Sequence, residues 1–134
     1  MEARELRIGN YIQYENNPAV QVKAIEKEYV HYNVDCYSLT EKMNPIPLTK
    51  EWLLNSSLKK HKAKVFRINI NAFQQLEIDL SKNGKIKASL VKHEVSRNEK
   101  ITFRYIDFVH ELQNLFQSLT GKELTITTTG ETKS

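Results

Sequence analysis

The sequence predicts an α+β fold in which an N-terminal SH3-like small β-barrel is followed by an antiparallel β-sheet packed by one C-terminal α-helix. Three observations lead to this prediction. Short apolar stripes with a period of two fill the first forty residues. Longer stripes of the same period recur between residues 66 and 90, and one apolar stripe with helical spacing runs from 108 to 119. We expect two modules, residues 1–58 and 59–134, either as separate units or as one continuous domain.

The bulk composition is that of a soluble globular protein. The chain has 134 residues, of which 40% are hydrophobic and 27% charged, and it is long enough to bury one core of ordinary size. No apolar run approaches the roughly 18 residues of a membrane span, and the start MEARELRIGN has no signal-peptide core. Cys36 is the only cysteine, which excludes an internal disulfide and favours a reducing compartment. We therefore expect a cytoplasmic protein that contacts no membrane.

The first module is predicted to be a strongly bent meander of short strands. Its first stripe consists of Leu6, Ile8, Ile12 and Tyr14, which share one parity. Gly9-Asn10 interrupts this stripe where a bend is expected. Two further stripes follow turn signals and consist of Val20, Val22 and Ala24, and then Val30, Tyr32 and Val34. Strands this short, joined by tight connections, favour closure into a small barrel.

A proline-rich segment and a short helix are predicted to connect the two modules. Pro45 and Pro47 bias the residues before them toward extended geometry, so this segment should run as a strap. Thr49 is placed to cap a short helix. Three apolar residues are expected to anchor that helix: Trp52, Leu53 and Leu54.

The second module is predicted to contain a hairpin of defined register. Its stripes are Phe66, Ile68 and Ile70, then Leu76, Ile78 and Leu80, then Ile86, Ala88 and Leu90. A two-residue Asn-Gly loop would place apolar and charged residues on one face. A three-residue loop, Lys82-Asn83-Gly84 with Gly84 left-handed, avoids this. It gives the pairs Leu80 with Ile86, Ile78 with Ala88, and Leu76 with Leu90. One more strand is predicted around Ile101, Phe103 and Tyr105.

The stretch VHELQNLFQSLTG is predicted to form the C-terminal helix. The apolar residues with helical spacing are Phe108, Val109, Leu112, Leu115, Phe116 and Leu119. Asp107 lies near the start, and Gly121 is placed as the C-terminal cap. Leu124 and Ile126 predict a last short strand.

The same helix begins like the HExxH helix of zinc proteases but lacks its second ligand. His110 and Glu111 supply the first half of the motif, whereas the position of the second histidine is Asn114. The other histidines lie on unrelated segments: His31, His61 and His93. We therefore expect His110 and Glu111 to be solvated or boundary residues of a packed helix, with no metal.

Other catalytic arrangements are also disfavoured. Cys36 with His31 or His93 as base would make a nucleophile, but a single buried thiol is the commoner outcome. Glu77 and Asp79 lie roughly 7 Å apart on one strand face, a spacing compatible with acid and base work. Because lysines surround them, we expect a solvated, charge-balanced face. With only four glycines, the chain has no phosphate-binding loop. We predict a non-enzymatic protein without a cofactor.

The positive charge is concentrated in the middle of the chain. Residues 55–105 contain twelve Lys and Arg against four Asp and Glu, whereas each flank carries a small negative excess. The stretch LKKHKAKVFR and the lysines after it could give a phosphate-facing surface, with Phe66 or Phe73 stacking bases if exposed. The alternative is a solvated hairpin whose lysines block edge pairing. The predicted ligand-binding residues are Lys60, Lys62, Lys64, Arg67, Lys85 and Lys87.

Three blocks carry a resemblance to known sequences. ELRIGNYIQY, NPIPLTKEWLL and VHELQNLFQSLTGKELTI, together about half the chain, resemble the small uncharacterised proteins of phages and other mobile elements of Bacteroidetes. Residues 55–100 carry no motif of that group. The resemblance implies a phage or prophage origin and a bacterial host cytoplasm. It implies no activity, and no site residues follow from it.

These observations favour a non-catalytic accessory binding protein that occupies or sequesters a host protein or a small anionic signalling ligand, as in the neutralisation of host defence. The alternative is a nucleic-acid-binding protein that uses the basic surface of residues 59–92. A third reading is a homo-oligomeric assembly component with exposed tyrosines, for which Tyr11, Tyr29 and Tyr37 are candidates.

Overall fold

A computed structural model describes residues 5–33, 36–82, 84–93 and 97–127. It has an α+β fold that consists mostly of antiparallel sheets, with one helix near the C-terminal end. The chain divides into two compact units: unit 1 is Met1–Pro47 with Phe108–Leu115, and unit 2 is Leu48–Asp107 with Phe116–Ser134. The expected division at residues 58 and 59 stays a prediction.

Unit 1 contains two antiparallel sheets of three strands each. The first has the order β2 (Val20–Gln21), β1 (Tyr11–Tyr14), β6 (Met43–Pro45). The second has the order β3 (Ala24–Glu26), β4 (Tyr29–Asn33), β5 (Cys36–Leu39). A 3₁₀ turn at Thr40–Lys42 separates β5 from β6.

The described strands do not form the closed barrel that the sequence predicts. The chain passes from one sheet to the other between Val22 and Lys23. The Val22 amide donates to the Asn10 carbonyl at 2.8 Å, whereas the Lys23 amide donates to the His31 carbonyl at 2.7 Å. Because successive residues pair with different sheets, each sheet keeps only three strands. The predicted bend at Gly9 is confirmed, with a φ of 99°.

One apolar core holds unit 1 together. Its buried residues are Leu6, Ile12, Val22, Val30 and Met43. Ile8 belongs to the predicted stripe but is 58% exposed, because the chain turns at Ile8 and Gly9 and the alternation ends there. Tyr11 on the next strand is buried instead, at 4% exposure, which corrects its expected place at the surface.

Two side-chain amides satisfy backbone and side-chain polar groups around this bend. The Gln113 side chain accepts from the Tyr11 amide at 2.9 Å and donates to the Gly9 carbonyl at 2.9 Å. The Asn114 side-chain oxygen accepts from the Asn10 side chain at 2.9 Å. Asn114, which stands where a zinc helix has its second histidine, therefore has a structural role, since buried polar groups need partners.

Unit 2 contains a five-stranded antiparallel sheet whose strands follow one another in chain order. The strands are β7 (Lys59–Lys62), β8 (Val65–Asn69), β9 (Gln74–Lys82), β10 (Lys85–His93) and β11 (Asn98–Ile106). The expected strand around Ile101 is confirmed as β11. The edge strand β7, with four exposed residues and no apolar stripe, is not predicted by the sequence.

The predicted hairpin register is confirmed in the strands and differs at the loop. Ile78 pairs with Ala88, and Leu76 pairs with Leu90. Near the loop, Lys82 pairs with Lys85 instead of belonging to a three-residue loop, and the register shifts before Lys87 pairs with Asp79. The extra residue therefore lies in β9, where Leu80 and Ser81 stand against Ile86 alone. Gly84 has the predicted left-handed conformation, with a φ of 68°.

The short helix α1 (Lys50–Leu54) starts where the sequence predicts, directly after Thr49. Thr49 is the residue before it, but its side chain makes no capping hydrogen bond. Leu53 is fully buried, whereas Leu54 is 54% exposed. Of the three residues predicted to anchor the helix, Leu53 is the one that is fully buried, because a helix of five residues presents only about one face to a core.

The helix α2 (Val109–Thr120) is confirmed, and it ends at Gly121 with a φ of 74°. Its stripe is buried at Val109, Leu112, Leu115 and Phe116, while Leu119 is 36% exposed near the end. No helix in the described ranges is both long enough and apolar enough to cross a membrane.

His110 is buried, which corrects its expected place at a solvated boundary. It is 3% exposed and stacks on Phe108, with ring centroids 5.9 Å apart and planes 11° apart. Its Nδ1 atom has no hydrogen-bond partner among the residues that the structure describes. Burial lowers the pKa of His110 below its ordinary value, although the charges of Glu111 and Glu5 raise it in part.

We expect the burial of His110 to make unit 1 sensitive to mild acid. Since the pKa of His110 is lower in the folded state than the value of 6.5 in the unfolded chain, its stabilisation is complete above that pH. It is lost as the pH falls toward the folded-state pKa. Between about pH 7.5 and pH 5.5, the free energy of unfolding should fall by up to about 1 kcal/mol more in the wild type than in His110→Gln. Urea denaturation at the two pH values measures this difference, and equal losses in both proteins would contradict it.

Candidate functional site

The two faces of the unit 2 sheet differ in chemistry because directly paired residues share a face. One face is apolar and includes Phe66 opposite Ile78. On the other face, one row of paired residues crosses four strands: Arg67, Glu77, Ser89 and Thr102. The next row consists of Val65, Asp79 and Lys87. The candidate site lies on this second, polar face.

Glu77 is a buried carboxylate with two cationic partners. It lies on the central strand β9, and its residue exposure is 1%. Both the Nε and the Nη2 atoms of Arg67 lie 2.9 Å from its Oε1. The Lys100 ammonium donates to Oε2 at 2.8 Å. Each carboxylate oxygen therefore has a charged donor, which a buried charge requires.

The pKa of Glu77 shows which influence is stronger. Burial alone raises the pKa of a carboxyl group, and here it is the largest single influence. The hydrogen bonds from Lys100 and Arg67, together with their charges, outweigh burial and hold the pKa of Glu77 below its usual value. Glu77 is therefore ionised at neutral pH.

Asp79 is a second buried carboxylate on the same strand. It is 7% exposed, and the Ser81 amide donates to its Oδ1 at 2.7 Å. The Ser81 hydroxyl donates to the same oxygen. Burial raises the pKa of Asp79, but the Ser81 hydrogen bonds and the charges of Lys87 and Lys100 lower it below its usual value.

A cavity of about 380 Å³ lies over these two carboxylates. Its charged lining residues are Lys62, Lys64, Arg67, Lys100, Glu77 and Asp79, and Ala63, Val65 and Ser81 complete it. We call this the charged cavity. It brings together residues from four strands and one turn, so it depends on the whole sheet.

A second cavity, of about 280 Å³, shares Arg67 with the charged cavity. Its lining is Ser57, Lys59, Lys60, His61, Arg67, Ile68, Asn69 and Gln75. Arg67 therefore contributes to both cavities.

The strand β7 and the turn after it supply cations without counter-ions. Every residue from Lys59 to Lys64 is exposed. Within the part of the chain that the structure describes, none of the ammonium groups of Lys59, Lys60, Lys62 and Lys64 pairs with a carboxylate. These groups are therefore available to an external anion.

The six predicted ligand-binding residues are only partly brought together. Lys62, Lys64 and Arg67 line the charged cavity, and Lys60 lines the second cavity. Lys87 is paired with Asp79 on the polar face but does not line either cavity. Lys85 lies near the end of the hairpin, with its Nζ 5.5 Å from the centre of the Tyr105 ring. That these residues bind a ligand stays a prediction.

The sequence did not predict three residues of the charged cavity. Glu77 and Asp79 were expected on a solvated face, which is wrong because β9 is the central strand and its neighbours cover both sides. Lys100 gave no signal, since its place opposite Val91 depends on an irregularity in the pairing of β10 with β11. The pairing of Arg67 with Glu77 could have been predicted from the sequence, because extending the hairpin register to β8 places the two residues opposite one another.

Other candidate groups lie elsewhere. Cys36 is exposed rather than buried, since it begins the edge strand β5. Tyr29 and Tyr37 are exposed as expected, and their rings meet edge to face at 5.6 Å. Among residues 5–33, 36–82, 84–93 and 97–127, no group of three or more His, Cys, Asp and Glu side chains is placed to hold a metal ion.

Comparisons with known protein families, with curated proteins and with solved structures find no match for this chain. The resemblance to small phage proteins stays a prediction.

The substitution Glu77→Gln tests whether the buried charge stabilises unit 2. It keeps the size of the side chain but leaves Arg67 and Lys100 without their counter-charge. We expect a loss of about 2 kcal/mol, which is below the roughly 3–5 kcal/mol for breaking a fully buried pair because both cations reach solvent. Urea denaturation at neutral pH measures it.

The matched control is Glu99→Gln, which breaks the exposed Arg97–Glu99 pair on the same sheet. Exposed pairs contribute little, so this change should cost less than about 0.5 kcal/mol. Equal costs for the two substitutions would show that Glu77 has no special role.

Proposed function

We propose that this protein is a non-catalytic accessory binding protein that sequesters a small anionic ligand on the basic hairpin formed by β7 and β8. One observation supports this most directly. Lys59, Lys60, Lys62 and Lys64 are exposed and unpaired among the described residues, and they border two cavities that share Arg67.

Electrostatics favours an anion as the occupant. Like charges placed side by side repel one another, and an anion bound among them relieves that repulsion. The flanking parts of the chain are slightly acidic, so the excess of eight positive charges lies within residues 55–105. A ligand drawn by this field would therefore be directed to unit 2.

The cavity sizes favour a small occupant. Volumes of about 280 and 380 Å³ lie near the lower end of the roughly 300–1,000 Å³ typical of ligand pockets. The ligand is then a small anion or the anionic group of a larger signalling molecule. A host protein would instead have to present an acidic group of similar size.

The biological setting follows from the resemblance to phage proteins. Sequestration of a host signalling anion in the bacterial cytoplasm would neutralise a defence that depends on that signal. Unit 1, with two small sheets and an apolar core, would serve as an SH3-like scaffold.

Nucleic-acid binding through the wider basic surface of residues 59–92 is the second candidate, and two exposed aromatic residues of unit 2 favour it. Phe73 is 70% exposed in the turn between β8 and β9. Tyr105 is 55% exposed and lies near Lys85. Aromatic rings beside lysines are the combination that stacks bases and neutralises phosphates.

Native mass spectrometry after exposure to the small-molecule fraction of a bacterial lysate tests the proposal. We expect the wild type to retain one anionic mass. The triple substitution of Lys60, Lys62 and Lys64 by Gln should lose it, because it removes three of the four unpaired lysines that border the two cavities. The matched control replaces three exposed lysines of unit 1, Lys23, Lys27 and Lys42, and should retain the ligand.

The outcomes separate the two candidates. Retention by all three proteins, or by none, would contradict sequestration on the hairpin. Nucleic-acid binding would appear instead as oligonucleotide affinity that falls steeply with salt, in proportion to the phosphates neutralised. Fluorescence anisotropy over a salt series measures that slope.

A further inference from the structure

We propose that the charged cavity takes a terminal phosphate group, a phosphomonoester dianion, in preference to a phosphodiester. This rests on the proposed function and specifies the chemical class of the ligand. The argument uses the charges, donors and geometry of the residues that line the cavity.

The charges of the lining residues leave a net excess of two positive charges. Lys62, Lys64, Arg67 and Lys100 contribute four positive charges, and Glu77 and Asp79 contribute two negative ones. Both carboxylates are held ionised by their hydrogen bonds. A phosphomonoester carries about two negative charges at neutral pH, whereas a phosphodiester carries one. A dianion therefore neutralises the excess charge of the cavity, whereas a monoanion leaves one of the two positive charges unbalanced.

Glu77 uses only some of the N–H donors of Arg67 and Lys100. A guanidinium has five N–H groups, and Arg67 directs two nitrogen atoms at one oxygen of Glu77. An ammonium has three N–H groups, and Lys100 gives one of them to the other oxygen. Glu77 thus fixes the positions of both cations and leaves donors for a second anion. It acts as a positioning residue.

The remaining two cations come from the end of β7 and the turn that follows it. Lys62 and Lys64 are exposed and have no carboxylate partner among the described residues. A phosphate bound at Arg67 and Lys100 would attract both ammonium groups, closing the cavity from the turn side. The Oδ1 atom of Asp79 already accepts two hydrogen bonds from Ser81, so it does not compete with the phosphate for the Lys62 and Lys64 ammonium groups.

A terminal phosphate fits this arrangement better than a phosphate within a chain. Three unesterified oxygens can accept from donors on several sides, as the cavity offers, whereas a diester has two and must extend a substituent at each end. The carboxylates also add a repulsive element against a strand of several phosphates. Their presence distinguishes this cavity from a uniformly basic nucleic-acid groove.

The test compares methyl phosphate with dimethyl phosphate, which differ by one methyl group and one charge. Two-dimensional NMR titration of the whole protein measures both affinities. At about pH 7.5 methyl phosphate should bind roughly tenfold more tightly. At about pH 5, where the monoester has become a monoanion, the two should bind equally.

Two variants locate the site. Substitution of Lys62 and Lys64 by Gln should abolish the preference for methyl phosphate, while Lys92→Gln, a lysine of β10 outside both cavities, should preserve it. The same spectra show whether each variant is folded. An unchanged preference in the double variant would overturn the assignment to this cavity.

The outcomes distinguish this inference from the proposed function. Equal or stronger binding of dimethyl phosphate at about pH 7.5 would overturn the monoester preference and leave anion sequestration standing. If neither probe binds but the wild type retains an anion from the lysate, the charged cavity is the wrong site. If neither probe nor any lysate anion binds, both proposals fall.

Discussion

The burial of the Glu77 carboxylate is the constraint on which the polar face of unit 2 depends. A carboxylate in the centre of a five-stranded sheet loses its hydration, and this loss must be offset by charged donors at both oxygens. Arg67 arrives from β8 and Lys100 from β11, so strands on opposite sides of β9 supply the two partners. The position of each cation is consequently fixed by strand register.

This constraint would give a lysine-rich protein the organised anion-binding surface that we propose. Exposed lysines on an edge strand prevent further strand pairing and contribute charge without a fixed geometry. Cations held by a buried carboxylate have a fixed geometry and are partly neutralised. The charged cavity combines both kinds, with Arg67 and Lys100 paired to Glu77 and with Lys62 and Lys64 exposed and unpaired among the described residues. A surface of this type is suited to one small anion rather than to a long polyanion.

The sequence predicts those features that depend on local pattern. The apolar spacing gave α2 and its glycine cap, and the alternation gave the pairing of Ile78 with Ala88. The position of a strand within a sheet is not encoded in the local sequence, so the sequence places Glu77 in solvent. In the structure Glu77 is buried, because β9 is the central strand and has a neighbouring strand on each side. Closure of unit 1 also depends on which strands pair. The change of partner between Val22 and Lys23 carries no signal in composition. Three of the six predicted basic residues line the charged cavity, whereas the place of Lys100 in it becomes visible only in the folded structure.

The central claim is that Glu77 is charged within the sheet and thereby holds Arg67 and Lys100 in place. Side-chain carboxyl ¹³C NMR, recorded over an acid titration, reports the protonation of this one group. The account requires that the pKa of Glu77 lie below the ordinary value of 4.5, because the paired cations outweigh burial. A pKa above that value would mean that burial dominates, that the two ion pairs are not maintained, and that the charged cavity lacks the fixed cations on which its function was proposed.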